Sequence, residues 1–193
     1  MAERHWFERG HEHGVFARIM AGLATERAEH KTIMIDATYL KAHRTASSLR
    51  VKRGACAPDR AHQRWHEQLH ALADAKGRPI GFFMSAGQIS DYTGAAALLG
   101  SLPKAGWLLA DRCYDADWFR EALKDKVIKA CIPSRKSRKK AVKYDKRRYK
   151  RRNRIDIMFG RLKDWRRVST RYDRCPRVFL SAIALAATVL FWL

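Results

Sequence analysis

Short apolar runs alternate along the chain with stretches that have helical spacing. Four apolar runs, at residues 32–38, 79–85, 107–111 and 127–132, predict buried strands. The first and third of these strands each lead to an aspartate, Asp36 and Asp111. Residues 61–75 are ambiguous, because their first half would also form a helix while their second half suits a strand and a glycine-containing turn.

Helical spacing predicts the remaining elements. Residues 15–24 and 115–126 have amphipathic patterns, and a further helix begins at Ser90 or Asp91 and ends at Leu102. One long helix is predicted over residues 145–168. Strands joined by a turn, then strand–helix–strand, then helices, predict an α/β fold: a mixed β-sheet flanked by helices.

Residues 178–193 form an apolar C-terminal stretch without a charged side chain. A membrane span needs roughly 20 apolar residues, so this stretch predicts a buried helix that closes the core and no membrane partner. Residues 1–14 lack the apolar stretch of a signal peptide, and the four cysteines are widely scattered. These features predict reduced thiols and a cytoplasmic, nucleoid-associated protein.

Positive charge is concentrated in one part of the chain. The whole sequence has 40 Lys and Arg against 19 Asp and Glu, a net charge of +21. Residues 134–177 contain 20 of the basic and 4 of the acidic residues, so they contribute +16 of that charge. Aromatic and aliphatic side chains are interleaved with the basic ones, which favours a folded surface for a polyanion over a solvated tail. Nucleic acid is the expected partner.

Three aspartates are candidates for chemistry. Taken singly, Asp36 and Asp111 could be turn or cap residues, and Asp156 could be a salt-bridge partner of a neighbouring arginine. In a helix, however, Tyr149, Arg152, Asp156 and Lys163 fall within about 60° of one another. The apolar residues of the same segment form a separate stripe that could pack on the sheet: Ile155, Met158, Phe159 and Leu162.

Converging carboxylates among basic side chains suit phosphodiester chemistry. Mg²⁺ binds oxygen ligands from a few carboxylates, waters and substrate phosphates. Two such ions can activate a water or a 3′-hydroxyl and stabilise the leaving oxygen. Nearby Arg and Lys side chains then hold the DNA strand.

Three segments carry a family resemblance: IDATYLKAHRTA, ADRCYDADWF and YKRRNRIDIMFGRLKDWRRVSTRYDRC. They resemble the DDE transposases of bacterial insertion sequences, specifically the insertion-sequence-five family. The resemblance implies an RNase H-like catalytic domain over residues 31–193, preceded by a short helical segment at residues 1–30 that is a remnant of a DNA-recognition region. It also implies two Mg²⁺ ions, with Mn²⁺ as an alternative, and cleavage and strand transfer at terminal inverted repeats. Both those repeats and the target DNA are partners, and the family acts as a homo-oligomer on DNA.

The resemblance assigns roles by motif position. It implies that Asp36, Asp111 and Asp156 are the catalytic and metal-binding acids. Tyr149, Arg152 and Lys163 would contact DNA at the cut site, and the neighbouring arginines would add to the DNA surface: Arg151, Arg154, Arg161 and Arg166.

The sequence also departs from the family pattern. The family has Glu as its third acid, and Asp156 is shorter by one carbon–carbon bond, about 1.5 Å. Cys113 stands where the family usually has Gly, and residues 53–67 do not match. Within and just after that region stand His62, His66 and His70, which would share a helical face and suggest zinc, although ordinary polar residues are the preferred interpretation. An alternative function is a catalytically impaired remnant that binds DNA electrostatically.

Overall fold

The computed structural model describes residues 14–27, 30–43, 46, 66–86, 91–138, 140–173 and 175–193. Six strands of this part of the chain form one mixed sheet in the order β3-β2-β1-β4-β5, with β6 joined to the end of β1. The strands are β1 (Thr32–Ala42), β2 (His66–Ala73), β3 (Pro79–Ala86), β4 (Trp107–Leu109), β5 (Lys129–Cys131) and β6 (Thr170–Arg171). The first three strands pair antiparallel, whereas β4 and β6 run parallel to β1, and β5 runs parallel to β4.

Helices cover both faces of this sheet. They are α1 (Val15–Arg27), α2 (Asp91–Leu99), α3 (Asp117–Asp125), α4 (Lys146–Tyr149), α5 (Asn153–Lys163), α6 (Arg166–Ser169) and α7 (Pro176–Phe191). Single 3₁₀ turns occur at Arg112–Tyr114 and Lys150–Arg152. The mixed sheet with flanking helices confirms the predicted fold class.

Alternation along β1 divides the apolar residues between two cores. Met34 and Leu40 face a core formed with α1, α5 and α7, while Ile33 and Ile35 face a second core formed with α2 and α3. The predicted stripe of α5 is buried in the first core, as is one face of α7. No helix in the described part of the chain is long and apolar enough to cross a membrane.

Two predicted elements differ from the structure. Strand β1 continues to Ala42, so Asp36 lies within the strand and not at its end. The long helix predicted over residues 145–168 tightens into a 3₁₀ turn at Lys150–Arg152 and stops at Lys163, because the backbone of Trp165 is extended before α6. The ambiguous segment contains a strand, β2, where cross-strand pairing on both sides decides against a helix.

The histidine-based zinc alternative does not agree with this strand. His66 and His70 are four residues apart in β2, which separates them by about 13 Å along an extended chain. His62 and most of the unusual 53–67 segment lie outside the described residues, as do most of residues 42–61, whose polar and basic character predicts a loop or irregular strand. Cys113 and Cys131 are free thiols, but Cys175 is disulfide-bonded, so the expectation of reduced thiols is wrong for Cys175.

His70 is instead a buried packing residue. Its Nε2 shares a hydrogen bond of 2.9 Å with Ser85 Oγ, and its ring lies 5.7 Å from that of Phe83. Burial lowers the pKa of His70 to about 4, so the ring is neutral near pH 7. Helix α2 approaches this ring so closely that a Cβ on Gly94 would lie 2.1 Å from His70 Nδ1.

Gly94→Ala should therefore destabilise the protein by about 1–3 kcal/mol, because the ring cannot move without breaking its contact with Ser85. Urea unfolding followed by circular dichroism measures this. Gly22→Ala, in α1 where nothing lies within 4 Å of the new methyl group, is the matched control and should be neutral or stabilising by up to about 1 kcal/mol. Equal stability of the two variants would contradict the packing described for α2.

Candidate active site

Two of the predicted acids lie at the same level of the sheet on neighbouring strands. Met34 of β1 pairs with Leu109 of β4, and Asp36 and Asp111 each follow two residues later. The backbone of Asp111 is still extended, with φ −75° and ψ 176°. Because side chains two residues apart share a face, both acids are on the side of the sheet that α5 covers.

Helix α5 and the turn before it bring the third acid to the same place. Arg152 Nη1 donates a hydrogen bond of 2.7 Å to Asp36 Oδ2, and Arg152 Nη2 lies 3.4 Å from Asp156 Oδ2. One guanidinium thus bridges two carboxylates that are 120 residues apart in the sequence, 36 against 156. We call these three side chains the Asp36–Arg152–Asp156 bridge.

Burial makes the charge on Asp36 costly. Desolvation raises the pKa of Asp36 to about 6, although Arg152 opposes the rise, and the negative charge of Asp156 adds to it. Asp156 is more open, with 52% of its side chain exposed against 14% for Asp36. Asp36 is therefore an acid whose ionised form depends on a nearby cation.

Lys163 and Tyr149 flank the bridge. About two helical turns beyond Asp156, Lys163 Nζ donates a hydrogen bond of 2.6 Å to Thr38 Oγ1, and burial lowers the pKa of Lys163. On the other side, burial raises the pKa of Tyr149 against the effect of Arg152, and the negative charge of Asp111 contributes to the rise. Thr38 was not singled out from the sequence, although its position two residues after Asp36 placed it on the same face.

Asp111 is held by the turn that follows it. Its Oδ1 accepts a hydrogen bond of 2.8 Å from the backbone N–H of Cys113 and so caps the 3₁₀ turn. A Cys in place of the family's Gly would add strain only if its φ were positive. Among the described residues other than glycine only Val127 has a positive φ, so Cys113 is not strained in this way.

A buried acid that the sequence reasoning missed fastens this turn. Asp115 has a fully buried side chain that accepts hydrogen bonds from Arg120, Arg138 and the backbone N–H of Arg135. Despite burial, these bonds lower the pKa of Asp115 to about 2. Arg135 in turn donates to the carbonyl oxygens of Arg112 and Cys113, at 3.1 and 2.6 Å. The basic segment after β5 is thereby tied to the turn that begins at Asp111.

The other predicted DNA-binding arginines are not at the bridge. Arg154 donates to the carbonyl of Ala75 in the turn between β2 and β3, and Arg161 lies over the ring of Phe191, 4.9 Å from its centroid. Arg151 and Arg166 are exposed. These four remain predictions as DNA contacts.

A divalent ion would meet oxygen donors here. Among the described residues no three His, Cys, Asp or Glu side chains lie close enough together to hold a metal ion. Mg²⁺, however, commonly binds through one or two carboxylates together with water and phosphate oxygens. Asp36 and Asp156 already share one cation, so the donor set fits a divalent ion that competes with Arg152 for the same oxygen atoms.

The chain has recognisable relatives. The family model described as "Transposase DDE domain" matches residues 108–193. A Brucella ovis protein described as "Putative transposase for insertion sequence element IS6501" is 32% identical over 127 residues, which cover 65% of this chain and 97% of that protein. The chain belongs to the DDE transposases.

Solved structures similar to this transposase agree on the fold, which is RNase H-like. A chain of the simian T-cell lymphotropic virus intasome in complex with PP2A regulatory subunit B56 gamma has a TM-score of 0.51 and 13% identity, and the similarity covers 82% of the transposase and 48% of that chain. The piggyBac transposase synaptic complex with hairpin DNA has a TM-score of 0.50 and 9% identity, and the similarity covers 83% of this chain and 46% of the piggyBac chain. The transposase spans about half the length of each.

Arg152→Gln should destabilise the metal-free transposase by about 1–3 kcal/mol, because a partly buried Asp36 loses its counter-charge. The same substitution should increase the rise in melting temperature that Mg²⁺ produces, because the ion no longer competes with a guanidinium. Thermal unfolding with and without Mg²⁺ measures both effects. Arg151→Gln removes the same charge from an exposed neighbour, and a response as large as that of Arg152→Gln would argue against competition at the bridge.

Proposed function

We propose that this transposase cleaves DNA at the ends of an insertion sequence and transfers the cut strand to target DNA, using divalent Mg²⁺ or Mn²⁺. The observation that carries the proposal is the Asp36–Arg152–Asp156 bridge, with Asp111 at the same level on the adjacent strand. Two further facts support DNA as the substrate: the chain belongs to a transposase family, and its net charge is +21.

The proposed mechanism assigns each side chain a task. When bound, the metal ions supply the activation of a water or 3′-hydroxyl and stabilisation of the leaving oxygen. Asp36 and Asp156 would hold the ions through their carboxylate oxygens, and Asp111 would add a third carboxylate from its capped turn. Arg152, released from the two acids, can donate two parallel N–H groups to a phosphate of the strand being cut.

Tyr149 and Lys163 hold the DNA strand on either side of the phosphate that Arg152 contacts. Lys163 is anchored to Thr38 and has a pKa lowered by burial, so its ammonium gains from a neighbouring phosphate. The half-buried Tyr149 offers a hydroxyl next to Arg152. These contacts position the scissile phosphate and offset the charge that develops on it.

Membership of the insertion-sequence-five group is part of the proposal. Tyr149, Arg152, Asp156 and Lys163 have the spacing of that group's signature, with Asp for Glu as the third acid. We further propose terminal inverted repeats as the recognised DNA, a homo-oligomer as the active form, and action in the cytoplasm on chromosomal DNA. The division at residue 30 remains a prediction.

A second candidate function is DNA binding without cleavage. It is favoured by the position of Asp156. The Asp156 side chain is half exposed, and its Oδ2 lies 3.4 Å from Arg152 Nη2, whereas Asp36 Oδ2 lies 2.7 Å from Arg152 Nη1. A shorter acid than the family's Glu places its oxygen atoms farther from Asp36, and Mg²⁺ tolerates little departure from octahedral geometry.

Asp36→Asn and Asp111→Asn should lower the rate of cleavage of a labelled duplex bearing terminal repeats by more than about 100-fold, a loss of about 3 kcal/mol in transition-state stabilisation. Asp164→Asn, an exposed acid just beyond α5, is the control and should leave the rate unchanged. Wild-type rates in the first two variants would rule out the proposed chemistry.

Asp156→Glu separates the two candidate functions. A longer carboxylate should raise the cleavage rate at least several-fold if the site is assembled, because the third acid then reaches the metal. Absence of cleavage in both the wild type and Asp156→Glu, with DNA binding intact, would favour the binding-only function.

A further inference from the structure

A basic depression lies at the end of the sheet opposite the acids. Three lysines line it, Lys31 before β1, Lys104 before β4 and Lys126 after α3, together with His30 and Gly106. It is open to solvent, with a volume of about 490 Å³. This leaves room for a phosphodiester group.

The lysines of this depression are uncompensated. All three are exposed, and none forms an ion pair with an acid within the part of the chain that the structure describes. Several arginines elsewhere are paired: Arg120 and Arg138 with Asp115, Arg167 with Asp173, and Arg171 with Glu67. Three unpaired lysines that line one depression concentrate positive charge there, and a bound anion would offset it.

Next to the depression along the chain, an aromatic side chain carries two cations of its own. Trp107, the first residue of β4, directly follows Gly106 and is partly buried. The Arg148 guanidinium lies 4.3 Å from the centre of its ring, and Lys129 Nζ lies 5.5 Å from it. Cations interleaved with an aromatic ring are typical of nucleic-acid-binding surfaces.

The depression is too far from the acids to hold the scissile phosphate. Lys31 precedes Asp36 by five residues and Gly106 precedes Asp111 by five, along the parallel neighbours β1 and β4. Five extended residues span about 16 Å, which is between four and five base-pair steps of about 3.4 Å. A phosphate here belongs to a different stretch of DNA from the one at the bridge.

We propose that this depression is a second DNA-binding site, which holds backbone phosphates of a DNA segment other than the one being cut. The occupant is DNA, because the cations come from several elements spread along a surface and not from one enclosed pocket. The inference rests on the proposed function only in taking DNA as the polyanion, since neither metal nor cleavage enters it.

The test is the salt dependence of binding to a fluorescent duplex without terminal repeats, measured by anisotropy in metal-free buffer. Each phosphate contact contributes about 0.9 to the slope of log affinity against log salt. The triple variant Lys31→Gln, Lys104→Gln, Lys126→Gln should make the slope shallower by roughly 2 to 3. The control triple variant removes three exposed cations from α1, β1 and α7: Arg18→Gln, Lys41→Gln and Arg177→Gln.

An unchanged slope in the first triple variant would overturn the proposal. An equal change of slope in both triple variants would also overturn it, because it would show that DNA responds to the overall positive charge of the protein and not to this depression.

A measurement on the unmodified protein guards against misfolding. In ¹H–¹⁵N spectra, the backbone amides of Lys31, Gly106 and Val127 should shift with duplex DNA and stay unshifted with inorganic phosphate at the same phosphate concentration. Equal shifts with both would identify a site for the free anion and overturn DNA as the occupant. The anisotropy assay uses metal-free buffer and a duplex without terminal repeats, so it needs no cleavage, and failure of cleavage and failure of this site are distinguishable.

Discussion

The guanidinium of Arg152 holds the candidate active site together. Asp36 and Asp156 would repel each other in this partly desolvated place, and burial raises the pKa of Asp36 to about 6 even though Arg152 opposes the rise. A fixed cation between Asp36 and Asp156 offsets that repulsion. Arg152 also joins the 3₁₀ turn before α5 to the middle of β1. The proposed catalysis and the local stability therefore depend on the same contact.

The rest of the fold determines where that contact forms. Helix α5 is fixed on the sheet by four buried apolar residues, and α7 packs against it in the same core. On the neighbouring strand, Asp111 caps its own turn, and the network around Asp115 ties the following basic segment to that turn. Each acid is thus held by a different structural device: a strand, a capped turn and a packed helix.

Much of this could be predicted from the sequence, because the periodicity of apolar residues is a local property. Spacing alone predicts strands β1, β3, β4 and β5, the apolar stripe of α5 and the shared face of Tyr149, Arg152, Asp156 and Lys163, but it leaves β2 ambiguous. The extension of β1 from Thr38 to Ala42 could not be predicted, since it depends on pairing with β2, in which His66 lies opposite Lys41. The interruption of the helix around Lys150–Arg152, the hydrogen bonds of Asp115 and the packing of Gly94 against His70 likewise depend on distant parts of the chain.

The presence of Asp156 in place of the family's Glu has a structural consequence. Asp156 reaches Arg152 but does not form with Asp36 and Asp111 a compact group of three acids. The central claim is that a metal ion and Arg152 compete for the oxygen atoms of Asp36 and Asp156. Anomalous diffraction from crystals of the transposase grown with Mn²⁺ tests it most directly. The account predicts a manganese peak between these two carboxylates, with the Arg152 side chain turned away. A manganese peak elsewhere, with Arg152 still bridging both acids, would contradict it.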